Sequence, residues 1–388
     1  MGRDLLLLTI SLFTWGLGEG LFLYFQPIYL QKLGADPLAI GAILAGMGVA
    51  MTVAHIPAGF AADRWGQRPV MWASWLLGLA AIWIMALANS LFPFVAGALV
   101  YGLTSFVSAP MNSYIAGARG EWSVGRALTI VMGTYYIGAV AGPFLGGLIG
   151  EAWGIKSIYM VAGCFVLVST GIIFFIRPQE IQPQPETGGH FRLMADKRFT
   201  GLLLIIFTAM LAMNLPQPLT PNFLQNQRHL SLAAIGQLGS LGNLGNAVLL
   251  LALGNLPGSI GLLLGQISMG LFTLLLWRGT GLVWYGLGYF FIGGYRLCRS
   301  MVLTLARPLL HPSEVGLAFG TIETVTGLTV ISAPLLAGFL YQYYPSWIYP
   351  ISLAMIIVTL LSSRIYLTTH RGPAAAVTPA RPSEGSPD

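Results

Sequence analysis

Apolar runs of roughly 20 residues, the length a helix needs to cross the hydrocarbon core of a bilayer, recur along the whole chain with short polar or Gly/Pro breaks between them. Twelve are counted, at 5–30, 37–61, 70–88, 91–116, 125–149, 156–176, 200–223, 232–253, 259–277, 281–305, 314–340 and 346–367. The pattern predicts an all-α polytopic membrane protein with twelve transmembrane helices. The first run starts behind only Arg3 and Asp4, and at about 25 residues it exceeds a signal-peptide core, so it is predicted to be a retained helix.

Composition narrows the picture. Of the 388 residues, 55% are hydrophobic and 8% charged, where soluble domains carry about 25% charge. A soluble enzyme, a disordered tail protein and a secreted disulfide scaffold are excluded. Cys164 and Cys298 lie in apolar runs, so they suggest neither a disulfide framework nor a metal cluster. The net charge is +6, but Lys and Arg gather in the gaps between spans, which argues against nucleic-acid binding and for membrane orientation. With the N-terminus inside, thirteen basic residues fall on the inner loops and tails. Against them stand Lys32, Lys156, Arg228 and Arg278 outside, with Arg296 and Arg299 inside a span. Both termini are therefore predicted to be cytoplasmic. Short loops and the lack of extracellular domains suit a bacterial-type plasma (inner) membrane.

The longest polar connection, Arg177 to Arg198, contains PQEIQPQPETGG and reads as a flexible linker. It divides the chain into an N-terminal six-helix half at 1–177, a cytoplasmic linker at 178–198 and a C-terminal six-helix half at 199–369. A Pro/Ala/Ser tail at 370–388 is predicted to be disordered. The halves repeat weakly. FQPIYLQ at 25–31 resembles LTPNFLQ at 219–225, LAIG at 38–41 resembles AAIG at 233–236, and GPFLGGLI at 142–149 resembles APLLAGFL at 333–340, with offsets of 194, 195 and 191. Duplicated halves related by an axis along the membrane normal are a transporter architecture, with the substrate site near the midplane.

Spans two and three are joined by Gly59-Phe-Ala-Ala-Asp63-Arg64-Trp-Gly66-Gln67-Arg68. This resembles the cytoplasmic loop signature of the major facilitator superfamily, G-x-x-x-D-R-x-G-R-[RK], with Gln67 at one basic position. The resemblance implies a twelve-helix, two-half fold working by alternating access. It also makes Gly59, Asp63, Arg64, Gly66 and Arg68 a conformational latch, in which carboxylate and guanidiniums bond to a helix end of the other half. The matching loop of the second half keeps Gly254 and Gly261 but has neither acid nor base, so one latch is expected. Span five carries Gly138-x3-Gly142-Pro143-x2-Gly146-Gly147, similar to a motif of the drug/proton antiporter branches of that family, where small residues let spans five and eight pack closely. Span four departs from the family pattern. Many proton-coupled members place a buried Arg four residues before the glycine corresponding to Gly102, and this chain has Ala98.

Charges within spans cost about 2.5–3.5 kcal/mol each at a helix centre on an insertion scale, so those present are functional candidates. Glu19 is the sole acid within the first-half spans. It lies at mid-depth between Gly18 and Gly20, on a stripe with Ser11, Trp15, Phe22 and Gln26, and a carboxyl at that depth is a candidate for proton exchange. In the second half Arg296 and Arg299 share one face of span ten and Glu323 lies in span eleven. Arg296 and Glu323 are each about 15 Å from the cytoplasmic ends at 1.5 Å per residue, which predicts an ion pair between them. One acid cannot neutralise two guanidiniums, so a surplus positive charge is expected. It serves an anionic substrate or a proton-linked switch, or else Arg299 snorkels beside a structural pair.

Milder polar candidates for substrate contact are Tyr101, Thr104, Ser108 and Asn112 in span four, Tyr136 in span five, Asn214 and Gln217 in span seven, and Asn243 and Asn246 in span eight. Each also suits an interhelical hydrogen bond. His55 reads as structural. There is no phosphate-binding glycine loop, no metal-ligand spacing and no nucleophile with a base in reach, so no cofactor, metal or enzymatic activity is expected. The leading expectation is proton-coupled efflux of a small amphipathic compound by a monomer. Glu19 and Glu323 handle protons, and Gln26, Asn112, Tyr136, Asn214, Gln217, Arg296 and Arg299 contact substrate. The alternatives are an organic-anion transporter using Arg296 or Arg299, and a non-transporting assembly factor or receptor of the same fold.

Overall fold

The computed structural model describes residues 2–179, 197–307 and 315–369, and those residues are helical with short connections. The tail expected at 370–388, and the linker expected at 178–198 apart from its ends, lie outside them. The first half contains α1 (Arg3–Leu23), α2 (Gln26–Lys32), α3 (Pro37–Trp65), α4 (Gln67–Leu87), α5 (Leu91–Leu103), α6 (Ser108–Ala118), α7 (Val124–Trp153) and α8 (Ile155–Ile173). The second contains α9 (Lys197–Asn214), α10 (Thr220–Asn226), α11 (Leu232–Leu253), α12 (Gly258–Arg278), α13 (Leu282–Phe291), α14 (Gly294–Ala306), α15 (Val315–Tyr343) and α16 (Ile348–Thr369).

Ten spans among the described residues are long and apolar enough to cross a membrane. The seventh expected span is the shorter α9, carried on by α10, and the tenth is split into α13 and α14 at Ile292 and Gly293. The first is likewise interrupted after Leu23, where Pro27 lies in the first turn of α2 and has no N–H to give. Gly66, with φ +84°, turns the chain between α3 and α4 in a conformation that a side chain would strain. Large apolar side chains such as Phe92, Leu251 and Val283 are exposed, as lipid contact requires and water would not tolerate in such number.

Polar groups tie each half together internally. In the first, Ser11, Ser169 and the Trp75 indole form a buried hydrogen-bonded cluster joining α1, α4 and α8. In the second, Gln266 of α12 bonds Ser363 and Thr359 of α16.

The halves meet through two crossings that repeat each other. In one, α3 lies on α15: a Cβ added at Gly41 would collide with the Pro334 carbonyl and stand 3.1 Å from the Gly338 Cα. In the other, α11 lies on α7: a Cβ at Gly236 would collide with the Pro143 carbonyl and stand 3.0 Å from the Gly147 Cα. Seen from the partner helix, a Cβ at Gly338 would sit 2.6 Å from the Pro37 carbonyl, and one at Gly147 the same distance from that of Leu232. The helices entering these crossings are capped alike, Asp36 accepting from the Ala39 N–H and Ser231 from that of Ala234. The short repeats found in the sequence are thus the contact surfaces between halves. The pair FQPIYLQ and LTPNFLQ supplies α2 and α10, where Asn222 donates to the Pro27 carbonyl and to the Gln31 side chain, and Asn226 also donates to Gln31.

These contacts all lie toward the side of the membrane away from the termini. Toward the terminal side, Asn112, Ser113 and Arg299 are exposed.

The glycine motif of α7 divides its labour. Gly147 and Pro143 face α11, whereas Gly138, Gly142 and Gly146 lie against the backbone of α1. Gly142→Ala would drive a methyl into the Gly20 and Leu21 backbone, so it should lower stability by about 1–3 kcal/mol. Gly133→Ala, with nothing within 4 Å of the added carbon, should leave the melting temperature of the detergent-solubilised protein unchanged.

Candidate functional site

Between the halves lies a cavity of about 230 Å³ lined from four helices. Helix α1 and the residue that follows it contribute Glu19, Gly20, Leu23 and Tyr24, and α7 contributes Tyr135, Tyr136, Ala139 and Pro143. Helix α11 contributes Asn243, Asn246, Ala247 and Leu250, and α14 contributes Arg296. The steps of three and four along each helix are those of one helical face.

Glu19 accepts hydrogen bonds from the Trp15 indole at 3.2 Å and the Tyr135 hydroxyl at 3.1 Å. Trp15 is itself fixed, stacked with Tyr101 at 6.5 Å between ring centroids and tilted on Trp75 at 5.1 Å. Across the cavity, Arg296 donates to the Tyr136 hydroxyl at 3.0 Å and lies 4.9 Å from the centre of its ring. Adjacent tyrosines of α7 therefore hold the two charges, one from each half. Glu19 and Arg296 are not bonded to each other. Tyr24, on the cavity wall, hydrogen-bonds the hydroxyl of Tyr289 across the halves.

Proline chemistry explains two of the α11 residues. Pro143 has no N–H for the carbonyl of Ala139, and the Asn243 side chain donates to that carbonyl at 2.7 Å. Ser240 donates to the Val140 carbonyl and accepts from the Phe144 N–H, bridging the disturbed turn. Asn243 thus lines the cavity while repairing α7, and Asn246 is the amide of the pair without such a duty.

Other expected positions fall elsewhere. The pair predicted between Arg296 and Glu323 is replaced by Arg299 with Glu323, at 2.6 Å. Helix ends at Ala306 and Val315 put Arg299 and Glu323 seven and eight residues deep and Arg296 ten, so Arg299 matches Glu323 in depth. Gln26 is buried and turned to the Met47 sulfur, because the break after Leu23 rotates it off the α1 stripe. Asn214 reaches the Thr329 carbonyl at 3.5 Å and Gln217 the Met213 carbonyl, both within the second half. Asn112 and Ser108 are exposed in α6, while Tyr101 and Thr104 are buried. His55 bonds the Met51 carbonyl of its own helix.

In the loop signature, Arg68 stacks 4.0 Å over the Trp72 ring, Gln67 donates to Ser113, and Arg64 is exposed. Of the Gly59 and Asp63 positions only the helical backbone is described. The sequence alone does not single out Tyr24, Tyr135 and Tyr289. The signal available for Tyr135 was its place one helical turn before Ala139 and two before Pro143, on the face that the glycine motif turns inward.

The profile of the Major Facilitator Superfamily matches residues 8–295. A class E tetracycline resistance protein of Escherichia coli is 24% identical over 94% of this chain and 96% of its own length. An uncharacterized MFS-type transporter of Methanocaldococcus jannaschii is 28% identical over 46% of each chain. The multi-drug resistance efflux pump PmrA of Streptococcus pneumoniae is 23% identical over 44% of each. The chain thus spans somewhat under half the length of these last two relatives. Among solved structures, the nucleoside transporter NupG superposes with a TM-score of 0.79 at 14% identity, covering 96% of this chain and 100% of its own, which shows a shared fold.

The Arg299 and Glu323 side chains are 49% and 40% exposed. Glu323→Gln should therefore lower stability by less than about 1 kcal/mol, read as the melting temperature of the solubilised protein.

Proposed function

The chain belongs to the major facilitator superfamily and is a transporter rather than an enzyme; we propose that it exports a small amphipathic compound by alternating access, driven by protons exchanged at Glu19. The observation that carries this reading is the placement of Glu19 and Arg296 on opposite halves, facing one cavity. A group that couples two gradients must meet both ligands, and Glu19 borders the space that a substrate would fill. Ionised, it balances the Arg296 charge across the cavity. Protonated, it leaves that guanidinium uncompensated, so occupancy by a proton changes the cavity's net charge by one unit. A multi-drug resistance efflux pump, PmrA, among the relatives supports the direction.

In this scheme the two glycine crossings close the outer end, and the cavity communicates with the cytoplasm, where both termini lie in a monomer of the inner membrane. The latch of Asp63, Arg64 and Arg68 engages the second half when the outer ends part. Arg299 with Glu323 lies on the cytoplasmic approach, as a contact passed by the substrate or a second proton-handling acid. Asn112, also exposed on that side, belongs to the same approach. Gln26, Asn214 and Gln217, bonded inside their own halves, serve packing.

A second reading, organic-anion transport, is favoured by one feature: the partner of Arg296 is a phenol, not a carboxylate. Purified protein in vesicles with a trapped pH dye separates the two. Under an imposed pH gradient, a transported compound should trigger proton movement in the wild type and none above empty vesicles in Glu19→Gln, with the melting temperature retained. Equal proton movement in Glu19→Gln would remove Glu19 from coupling. Labelled-anion flux without a proton signal, abolished in Arg296→Ala, would establish the anion carrier.

A further inference from the structure

We infer that the cavity is built for a zwitterion: a compact molecule with a ring or apolar body, whose ammonium faces Glu19 and whose carboxylate or comparable anionic group faces Arg296. The inference deepens the proposed function, since it rests on this cavity being the substrate site. Its basis is that the two charges are both present, both at the cavity wall and not bonded to each other. Glu19 is satisfied by the neutral donors Trp15 and Tyr135. Arg296 gives one of its five N–H donors to Tyr136. A carboxylate and a guanidinium in apolar surroundings gain most by pairing with each other. Here Tyr135 and Tyr136, neighbours on α7, each take up one of the two charges, so that Glu19 and Arg296 are not bonded to each other.

Ligands with a single charge leave one wall mismatched. A cation that satisfies Glu19 confronts Arg296 with like charge, and an anion on Arg296 confronts Glu19. Like-charge juxtaposition of this kind is disfavoured. A zwitterion answers both at once, and its zero net charge matches that of the cavity with Glu19 ionised. The rest of the wall is largely apolar, with Leu23, Ala139, Pro143, Ala247 and Leu250 beside the amides of Asn243 and Asn246, which suits a hydrocarbon or aromatic body with few polar substituents. The volume, about 230 Å³, lies just below the range of about 300–1,000 Å³ typical of drug-sized sites, so one or two fused rings are the expected size. A proton on Glu19 removes the ammonium's counter-charge, so proton and zwitterion compete, and competition is what exchange requires.

The test uses three probes with one ring system: tryptophan, which carries both charges, tryptamine, which carries the ammonium alone, and indole-3-propionate, which carries the carboxylate alone. In the full-length protein with exposed Cys164 replaced by Ala and Asn246 by Cys, each is titrated for protection of the cavity thiol against a maleimide at pH 7. Tryptophan should protect at concentrations about tenfold or more below either analogue, the scale of one charged hydrogen bond. Arg296→Gln should erase its advantage over tryptamine, and Glu19→Gln its advantage over indole-3-propionate. The ranking with Glu19 and Arg296 in place decides the matter even where those variants fail to fold. Protection by an analogue at equal or lower concentration, or by none of the three, overturns the inference. The vesicle assay keeps the two claims apart. Protection by tryptophan without proton movement leaves the zwitterion site standing and removes proton coupling, whereas proton movement triggered by tryptamine alone does the reverse.

Discussion

The arrangement depends on helix backbones brought into direct contact at two crossings, where a proline-containing turn of one half lies on a glycine of the other. Lipid gives apolar helices no hydrophobic reason to associate, so contact must come from close packing and hydrogen bonds. Gly41 against Pro334 and Gly338, and Gly236 against Pro143 and Gly147, are the same contact made twice. The prolines have a second consequence. Each lacks an N–H, and at Pro143 the carbonyl so released becomes the acceptor for Asn243 of the opposite half. A local defect in one helix is thereby turned into a bond between halves. The crossings close one end of the interface and leave a cavity beneath, with the Tyr24 and Tyr289 hydroxyls joined beside it.

Within that frame, the position of charge follows from which groups can reach one another. Arg299 finds Glu323 in its own half, at a depth where both remain partly exposed. Arg296, one turn deeper, finds a phenol of the other half instead. Its charge thus belongs to the interface between halves and not to the core of either. Glu19 is the counterpart from the first half, fixed by an indole and a phenol. A cavity with opposite, unpaired charges on walls that belong to different halves is suited to respond to whatever neutralises them. That is the physical content of coupling in the proposed cycle.

Much of this was legible in the sequence. The spans are recorded in runs of apolar length, which do not depend on tertiary context, and the bounds of α11 coincide with those expected. The three short repeats marked the positions later found in contact. What was not legible arises where one helix answers another. The interruptions at Tyr24 and at Ile292 and Gly293 leave hydropathy unbroken while changing which side chains face inward, and Gln26 leaves the site for this reason. The pair expected between Arg296 and Glu323 fails because a shift of one residue at each helix end, about 1.5 Å apiece, exchanges one arginine for its neighbour. The roles of Tyr135 and Trp15 were hidden because an aromatic residue in a span reads the same whether it faces lipid or a carboxylate.

In the proposed cycle the two glycine crossings must part for substrate to leave. Its most direct test locks them. Gln31 and Asn226, hydrogen-bonded across the halves, are both replaced by Cys in a chain with Cys164→Ala, and joined by a short, cleavable bifunctional thiol reagent in vesicles. Transport of a responsive compound is expected to stop on cross-linking and to return on cleavage of the reagent. Transport that continues at the full rate with the outer ends joined would contradict that cycle.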